Sequence, residues 1–301
     1  MSIYKYVVIF CILFVSCEKN DFHTWQLCDG VELIDNKLSV LSFNRLNGTS
    51  INSVSNIIET ISPDVIGLQE SFDVGVEIAD RFNYCFYGHE ETSTAILSKY
   101  SIEVINDSQC KIYLNETDYI NFFNIHFPAY PYQPYDIRDT LITTAAQAIH
   151  QAEQTRGLYI DQLLESINSI DNNMPIVVVG DFNEPSHLDW VYGAENPTRF
   201  QFNNDSSPFI VDWPASNKML DVGLVDVYRQ LFPNPLDYPG YTWTPYYNVN
   251  EVHDRIDFIY HDNQMNVESF SLIGPDNLSD ILILNYESDH RAIFSVFNTT
   301  F

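Results

Sequence analysis

The residues best suited to chemistry lie in Pro175 Ile176 Val177 Val178 Val179 Gly180 Asp181 Phe182 Asn183 Glu184 Pro185. Four apolar, mostly β-branched residues between a Pro and a Gly read as a buried strand. Gly180 allows the backbone to turn where a Cβ would resist. Asp181 and Asn183 then emerge together at the carboxyl end of the strand, and Phe182 turns into the core. A carboxylate can orient or deprotonate water and an amide can donate to an oxyanion, a pair that suits a phosphoester. Asp and Asn after a strand are also ordinary turn formers, so the stretch by itself leaves both readings open.

The elements that position other polar residues repeat this pattern. A buried strand over 38–43 delivers Asn44, and another over 65–68 delivers Gln69 and Glu70. The strand over 119–127 brings His126 to its end, 255–260 carries Asp257, and Asp289 and His290 precede a last strand over 291–297. Apolar residues at Ile51, Val54, Ile57, Ile58 and Ile61 share one helical face, which Pro63 ends. Further helices are expected over 73–82, 145–170 and 224–231. Strands are expected over 84–87, 94–98, 103–106 and 111–114, mostly antiparallel because their connections are too short for crossovers, and another over 266–272. The Pro- and Tyr-rich segment 128–135 cannot be a central strand. It reads either as the lining of a substrate mouth or as a polyproline-like surface connection. Residues 186–218 read as long loops with short helices that elaborate one face.

Taken in order, Asn44, Glu70, His126, Asp181 with Asn183, Asp257, and Asp289 with His290 form a series more specific than any member. His126 or His290 alone would pass for a satisfied core histidine. The pieces Leu41 Ser42 Phe43 Asn44, Leu68 Gln69 Glu70, Asn124 Ile125 His126, Gly180 Asp181 Phe182 Asn183, Arg255 Ile256 Asp257 Phe258 Ile259 and Ser288 Asp289 His290 Arg291 Ala292 carry a resemblance. Together they resemble the endonuclease/exonuclease/phosphatase superfamily of metal-dependent phosphoesterases.

The resemblance runs from about Leu38 to Phe297 and implies an α+β fold. This is a two-layer β-sandwich flanked by helices on both outer faces, four layers in all, as in deoxyribonuclease I. It further implies a hard cation, Mg²⁺ or Mn²⁺, held by Asn44, Glu70 and Asp289. Asp181 would position or deprotonate the attacking water, and Asn183 would donate to the phosphoryl oxygen. His290 would contact the phosphate with its orientation fixed by Asp257, and His126 would lie near the leaving group. His253, Asp254, Trp243 and Arg291 are weaker candidates, for which a turn, packing or a structural ion pair is the plainer reading.

Composition narrows the substrate. The 301 residues carry 41 Asp and Glu against 14 Lys and Arg, a net charge of −27. Passive capture of a polyanion needs Lys and Arg to displace counterions, so a small phosphoester is expected in preference to nucleic acid. An extracellular nuclease is the alternative within the enzyme class. A non-catalytic surface lipoprotein that kept the fold as a binding module is the rival from another class, though such a module has no need of Asp181, Asn183 and His290 together.

Residues 1–17 read as a signal peptide, with an apolar run too short to span a bilayer. Phe14 Val15 Ser16 Cys17 resembles a bacterial lipobox, which would lipidate Cys17 and hold the protein at the cell envelope. Ordinary cleavage and secretion is the alternative. Residues 18–36 read as a tether and 37–301 as the catalytic domain, expected as a monomer. Cys28, Cys85 and Cys110 allow one disulfide and one free thiol.

Overall fold

Val177 and Val179 face one side of their strand and Val178 the other, and both sides are buried. A strand covered on two faces needs a sheet beneath it and helices above it, and the whole architecture follows that requirement. The computed structural model describes residues 24–26, 31–89, 93–170, 173–194, 209–247 and 251–299. Cys17, the signal peptide and Cys28 lie outside them.

In chain order the elements are β1 (Thr24–Gln26), β2 (Lys37–Asn44), α1 (Ile51–Ile61), β3 (Val65–Gln69), α2 (Phe72–Phe82), β4 (Cys85–His89), β5 (Thr94–Ser98), β6 (Ser101–Asn106), β7 (Gln109–Tyr113) and β8 (Tyr119–His126). There follow α3 (Gln133–Arg138), α4 (Ala145–Asn168), β9 (Ile176–Asp181), α5 (Pro214–Asp221), β10 (Val225–Asp226), α6 (Val227–Leu231), β11 (Asp257–His261), β12 (Asn266–Gly274), β13 (Ile281–Leu282) and β14 (Ala292–Asn298).

Two sheets stack face to face. One runs β1-β4-β5-β3-β2-β14-β12-β13 and the other β10-β11-β9-β8-β7-β6. Leu38, Val40, Ile96, Phe122, Val177, Val179 and Ile259 fill the space between them. On the outer face of the first sheet Leu41, Phe43, Ile66 and Leu68 pack on Val54, Ile57 and Ile58 of α1 and Ile78 of α2. On the outer face of the second, Phe123, Val178, Phe182 and Phe258 pack on Ile160 and Leu163 of α4 and Met219 of α5. These are the four layers expected of an α+β sandwich with helices outside.

Three departures from the expected elements have physical causes. The helix expected over 224–231 is shorter, because Val225 and Asp226 pair with His261 and Tyr260 and the Asp226 side chain caps α6 by accepting from the Tyr228 and Arg229 N–H groups. The tether expected over 18–36 is partly docked. Its Thr24–Gln26 segment pairs with β4, and the N–H groups of Val31 and Leu33 donate to Lys99 and Leu114. Within 128–135, α3 begins at Gln133 with Pro134 at its first turn, so the segment is neither all loop nor polyproline. Cys85 is disulfide-bonded to a partner outside the described residues, and Cys110 is a buried free thiol.

Candidate active site

Parallel pairing brings the strand ends together. β2 and β3 run parallel with Asn44 opposite Gln69, and β8 and β9 run parallel with His126 opposite Asp181. β11 runs antiparallel to β9 and places Asp257 opposite Asp181. His126, Asp181 and Asp257 therefore stand in one row across three adjacent strands. Gly180 makes the close approach possible: at φ +143°, a Cβ there would come within 2.0 Å of the Ile125 carbonyl oxygen on β8.

Asp181 is fully buried. Its Oδ1 accepts from the Asn183 N–H at 2.7 Å, and its Oδ2 accepts from Asn44 Nδ2 at 3.0 Å. The stretch thus forms the turn, and the turn hydrogen bond is what aims the carboxylate. Burial and the neighbouring Asp257 charge push the Asp181 carboxyl up to about 6, against the lowering pull of His290, His126 and Asn44. Asn183 adopts φ +50° and donates one Nδ2 hydrogen to the Phe127 carbonyl at 2.9 Å. An amide nitrogen carries two hydrogens, so the second is available to a ligand.

His290 Nδ1 lies 2.9 Å from Asp257 Oδ2, and Nε2 lies 3.7 Å from Asp181 Oδ2. Burial would lower this imidazole, but the charges of Asp257 and Asp181 and the Asp257 hydrogen bond outweigh it and push the group up to about 10. Thr242 Oγ1 accepts from the Ile256 and Asp257 N–H groups, which fixes the start of β11, and Ser288 Oγ accepts from the His290 N–H. His126 Nε2 stands 3.8 Å from Asp181 and 4.0 Å from Glu70.

Glu70 sits at φ +54°, accepting from the Asn47 N–H at 2.8 Å and from Asn44 Nδ2 at 3.2 Å. Burial would raise its carboxyl, but these two bonds and the charges of His126 and His290 hold it below the usual carboxylate range. The Asn44 Oδ1 accepts from the Leu46 N–H. Asn44 therefore presents nitrogen to Glu70 and Asp181 and oxygen to the Leu46 N–H, which positions the two carboxylates.

These groups open onto a cleft of about 220 Å³ lined by Glu70, Asp181, Asn183, Asp289 and His290 on its polar side. Leu46, Ala129, Tyr130, Tyr132, Tyr135, Trp243 and Ile256 form its apolar side. Tyr130 is 70% exposed, whereas Tyr132 is buried with its hydroxyl on Asp254. Tyr135 bonds Glu251 and stands edge-on to Trp243. Arg156 holds the loop in place through Gln133 and the carbonyls of Ala129 and Pro131.

The weaker candidates resolve into structure. Asp254 accepts from Tyr132 and Trp190, His253 Nδ1 contacts the Thr244 carbonyl, and Arg291 pairs with Asp276. Trp243 does line the cleft. No Lys or Arg does so among the described residues. Arg45, Lys99, Arg138, Arg156, Arg255 and Arg291 all bond to protein groups. Sequence reasoning did not find Leu46, Thr242 or the Arg156 brace. For Arg156 the one available signal was an Arg among the apolar positions of an amphipathic helix.

With three carboxylates and, among the described residues, no Lys or Arg lining it, the cleft offers an anionic phosphate only the His290 imidazole and the Asn183 amide as hydrogen-bond donors. Its electron-pair donors are carboxylate oxygens, the set a hard divalent cation takes. Asp181, Asp257 and His290 also bring ligand atoms within 4.8 Å of one another. Their imidazole is already bonded to Asp257 through Nδ1.

Residues 41–290 match the Endonuclease/Exonuclease/phosphatase family. Exodeoxyribonuclease III of Haemophilus influenzae is 26% identical over 285 residues, covering 86% of this chain and 100% of that protein. An uncharacterized Caenorhabditis elegans protein is 24% identical over 296 residues, covering 86% of this chain and 91% of that one. Among solved structures, a 3′-5′ exonuclease from Neisseria meningitidis superposes with a TM-score of 0.57 at 16% identity, covering 87% of this chain and 100% of that one. TDP2 from Caenorhabditis elegans, in truncated form, superposes with a TM-score of 0.53 at 17% identity, covering 87% and 98%. The chain belongs to the endonuclease/exonuclease/phosphatase family and is a phosphoric ester hydrolase.

Proposed function

We propose that the cleft hydrolyses a small phosphodiester or phosphomonoester by attack of an activated water, with Mg²⁺ or Mn²⁺ held by Glu70 and Asp289. The observation that carries this reading is Asp181, seated between the Asn183 turn, His290 and the cleft. A base whose pKa lies near neutral is ionised at physiological pH and still accepts a proton. Asp181 takes the proton of the water whose oxygen attacks phosphorus. The free Asn183 N–H and the His290 Nε2–H donate to the non-bridging oxygens as charge grows there. Asp257 keeps His290 protonated and oriented. The ester P–O bond breaks, and the leaving oxygen on the His126 side takes up a proton, giving an alcohol and a phosphate shortened by one ester. A bound divalent cation would neutralise charge on the phosphoryl oxygens.

Among the described residues no Lys or Arg lines the cleft, which favours a small substrate over duplex DNA. Tyr130 offers an exposed ring for an attached group, and Trp243 lines the same cleft. The test is hydrolysis by purified protein of bis(4-nitrophenyl) phosphate and of duplex DNA, each with Mn²⁺ or Mg²⁺ and with EDTA, across salt. The small ester should be cut only with the cation, with a KM little affected by salt. Faster cleavage of duplex, with affinity falling steeply as salt rises, would replace this reading with the nuclease.

A further inference from the structure

A phosphodiester and a phosphomonoester differ at phosphorus by one unesterified oxygen and, above neutral pH, by one negative charge. The cleft treats the two unequally. On its polar side, among the described residues, the side-chain hydrogen-bond donors are Asn183 and His290, and the other groups there, Glu70, Asp181 and Asp289, are carboxylates. The Asn183 amide has one hydrogen beyond the one on the Phe127 carbonyl, and the imidazole has its Nε2 beyond the Nδ1 that meets Asp257. Two donors thus stand where a diester has two non-bridging oxygens. A third oxygen would face carboxylates or rings.

The rings do not make up the shortfall. The Tyr132 hydroxyl donates to Asp254 at 2.9 Å, the Tyr135 hydroxyl to Glu251, and the Trp243 N–H to Asp289 Oδ2 at 3.4 Å. With their polar ends committed to carboxylates, the three rings pack edge to face, centroids 5.2 to 5.9 Å apart. Together with Leu46 and Ile256 they form a wall suited to the organic group of an ester and not to a phosphate oxygen. Charge points the same way. Even a protonated His290 and one divalent cation together only balance the three cleft carboxylates, and Asp257 adds a further negative charge behind His290. A diester brings one negative charge into that setting and a monoester brings two.

We propose that this site is a phosphodiesterase in the strict sense, which takes a monoanionic diester and releases the monoester without cutting it further. The inference rests on the phosphoesterase reading of the cleft. Water adds its oxygen to phosphorus, one ester P–O bond breaks, and one of the water's protons ends on the departing alcohol. At about pH 8 the other goes to solvent, so the product carries one more negative charge than the substrate and is repelled by the carboxylates that line its exit.

The experiment compares methyl 4-nitrophenyl phosphate with 4-nitrophenyl phosphate at about pH 8 with Mn²⁺, since both release the same nitrophenol. The diester should have the higher kcat/KM by about a hundredfold. Bis(4-nitrophenyl) phosphate should yield one equivalent of nitrophenol while 4-nitrophenyl phosphate accumulates. Comparable or faster hydrolysis of the monoester, or release of two equivalents, would overturn the inference and leave the phosphoesterase reading standing. If none of the three esters is hydrolysed, that reading fails and the inference with it. Tyr130 lines the cleft and is 70% exposed, so Tyr130→Lys adds a positive charge there without disturbing the core. It should narrow the diester preference by about fivefold. An unchanged ratio would contradict the assignment of that preference to charge.

Discussion

Two clusters of charge flank β9 and β11, and they are built differently. In the first, Asp189 and Asp226 meet Arg229 and Arg255, and all four carboxylate oxygens lie within 3.1 Å of a guanidinium nitrogen. In the second, Asp181, Asp257 and Glu70 have no Lys or Arg partner among the described residues, and the basic groups beside them are His290 and His126. Matched charges hold one geometry. Mismatched charges keep proton affinities displaced, as with Asp181 pushed up and His290 pushed up further. Displaced proton affinity is what a group that must move a proton requires. The paired cluster fastens the loop after Asn183 to α6 and β11, so that the unpaired cluster keeps its alignment.

The sharpest way to break this contrast is to unpair the first cluster. Asp189→Ala leaves Arg255 and Arg229 buried without their main partner and should cost about 3–5 kcal/mol of unfolding free energy, read by urea denaturation. A loss below about 1 kcal/mol would mean that the paired cluster is not structural.

A smaller effect sharpens the other side. The folded His290 binds its proton more tightly than the unfolded chain, whose ordinary value is 6.5. Its stabilising contribution is therefore complete below about pH 6.5 and is lost as pH rises toward about 10. The slope this one proton adds is at most about 1.4 kcal/mol per pH unit. Unfolding of the metal-free protein measured from pH 6.5 to 10 should show a steeper decline for wild type than for His290→Gln, and parallel curves would remove the imidazolium from the account.

The same contrast explains what the sequence disclosed. Period-two burial and polar residues at strand ends are local, and they were enough to place most of the strands and to collect Asp181, Asn183, Asp257 and His290, while the four layers were legible only through the family resemblance that those residues carry. The Asp189–Arg255 pairing spans 66 positions and leaves no periodic trace. The orientation of Asn44 was illegible for another reason: an amide has one donor end and one acceptor end, and only the Leu46 N–H decides which faces the cleft. The start of α6 was legible in principle, because an Asp before a short apolar run is a capping signal, and Asp226 was passed over in favour of the longer helical pattern.

The division of labour itself is tested most directly by Asp181→Ala, with hydrolysis and unfolding measured on one preparation. Burial and Asp257 already disfavour the Asp181 charge, so removing it offsets the two hydrogen bonds lost. Hydrolysis of bis(4-nitrophenyl) phosphate with Mn²⁺ should fall by about a hundredfold or more while unfolding free energy stays within about 1 kcal/mol of wild type. Near-normal hydrolysis in this variant, or a loss of activity accompanied by unfolding, would contradict the assignment of chemistry to the unpaired cluster.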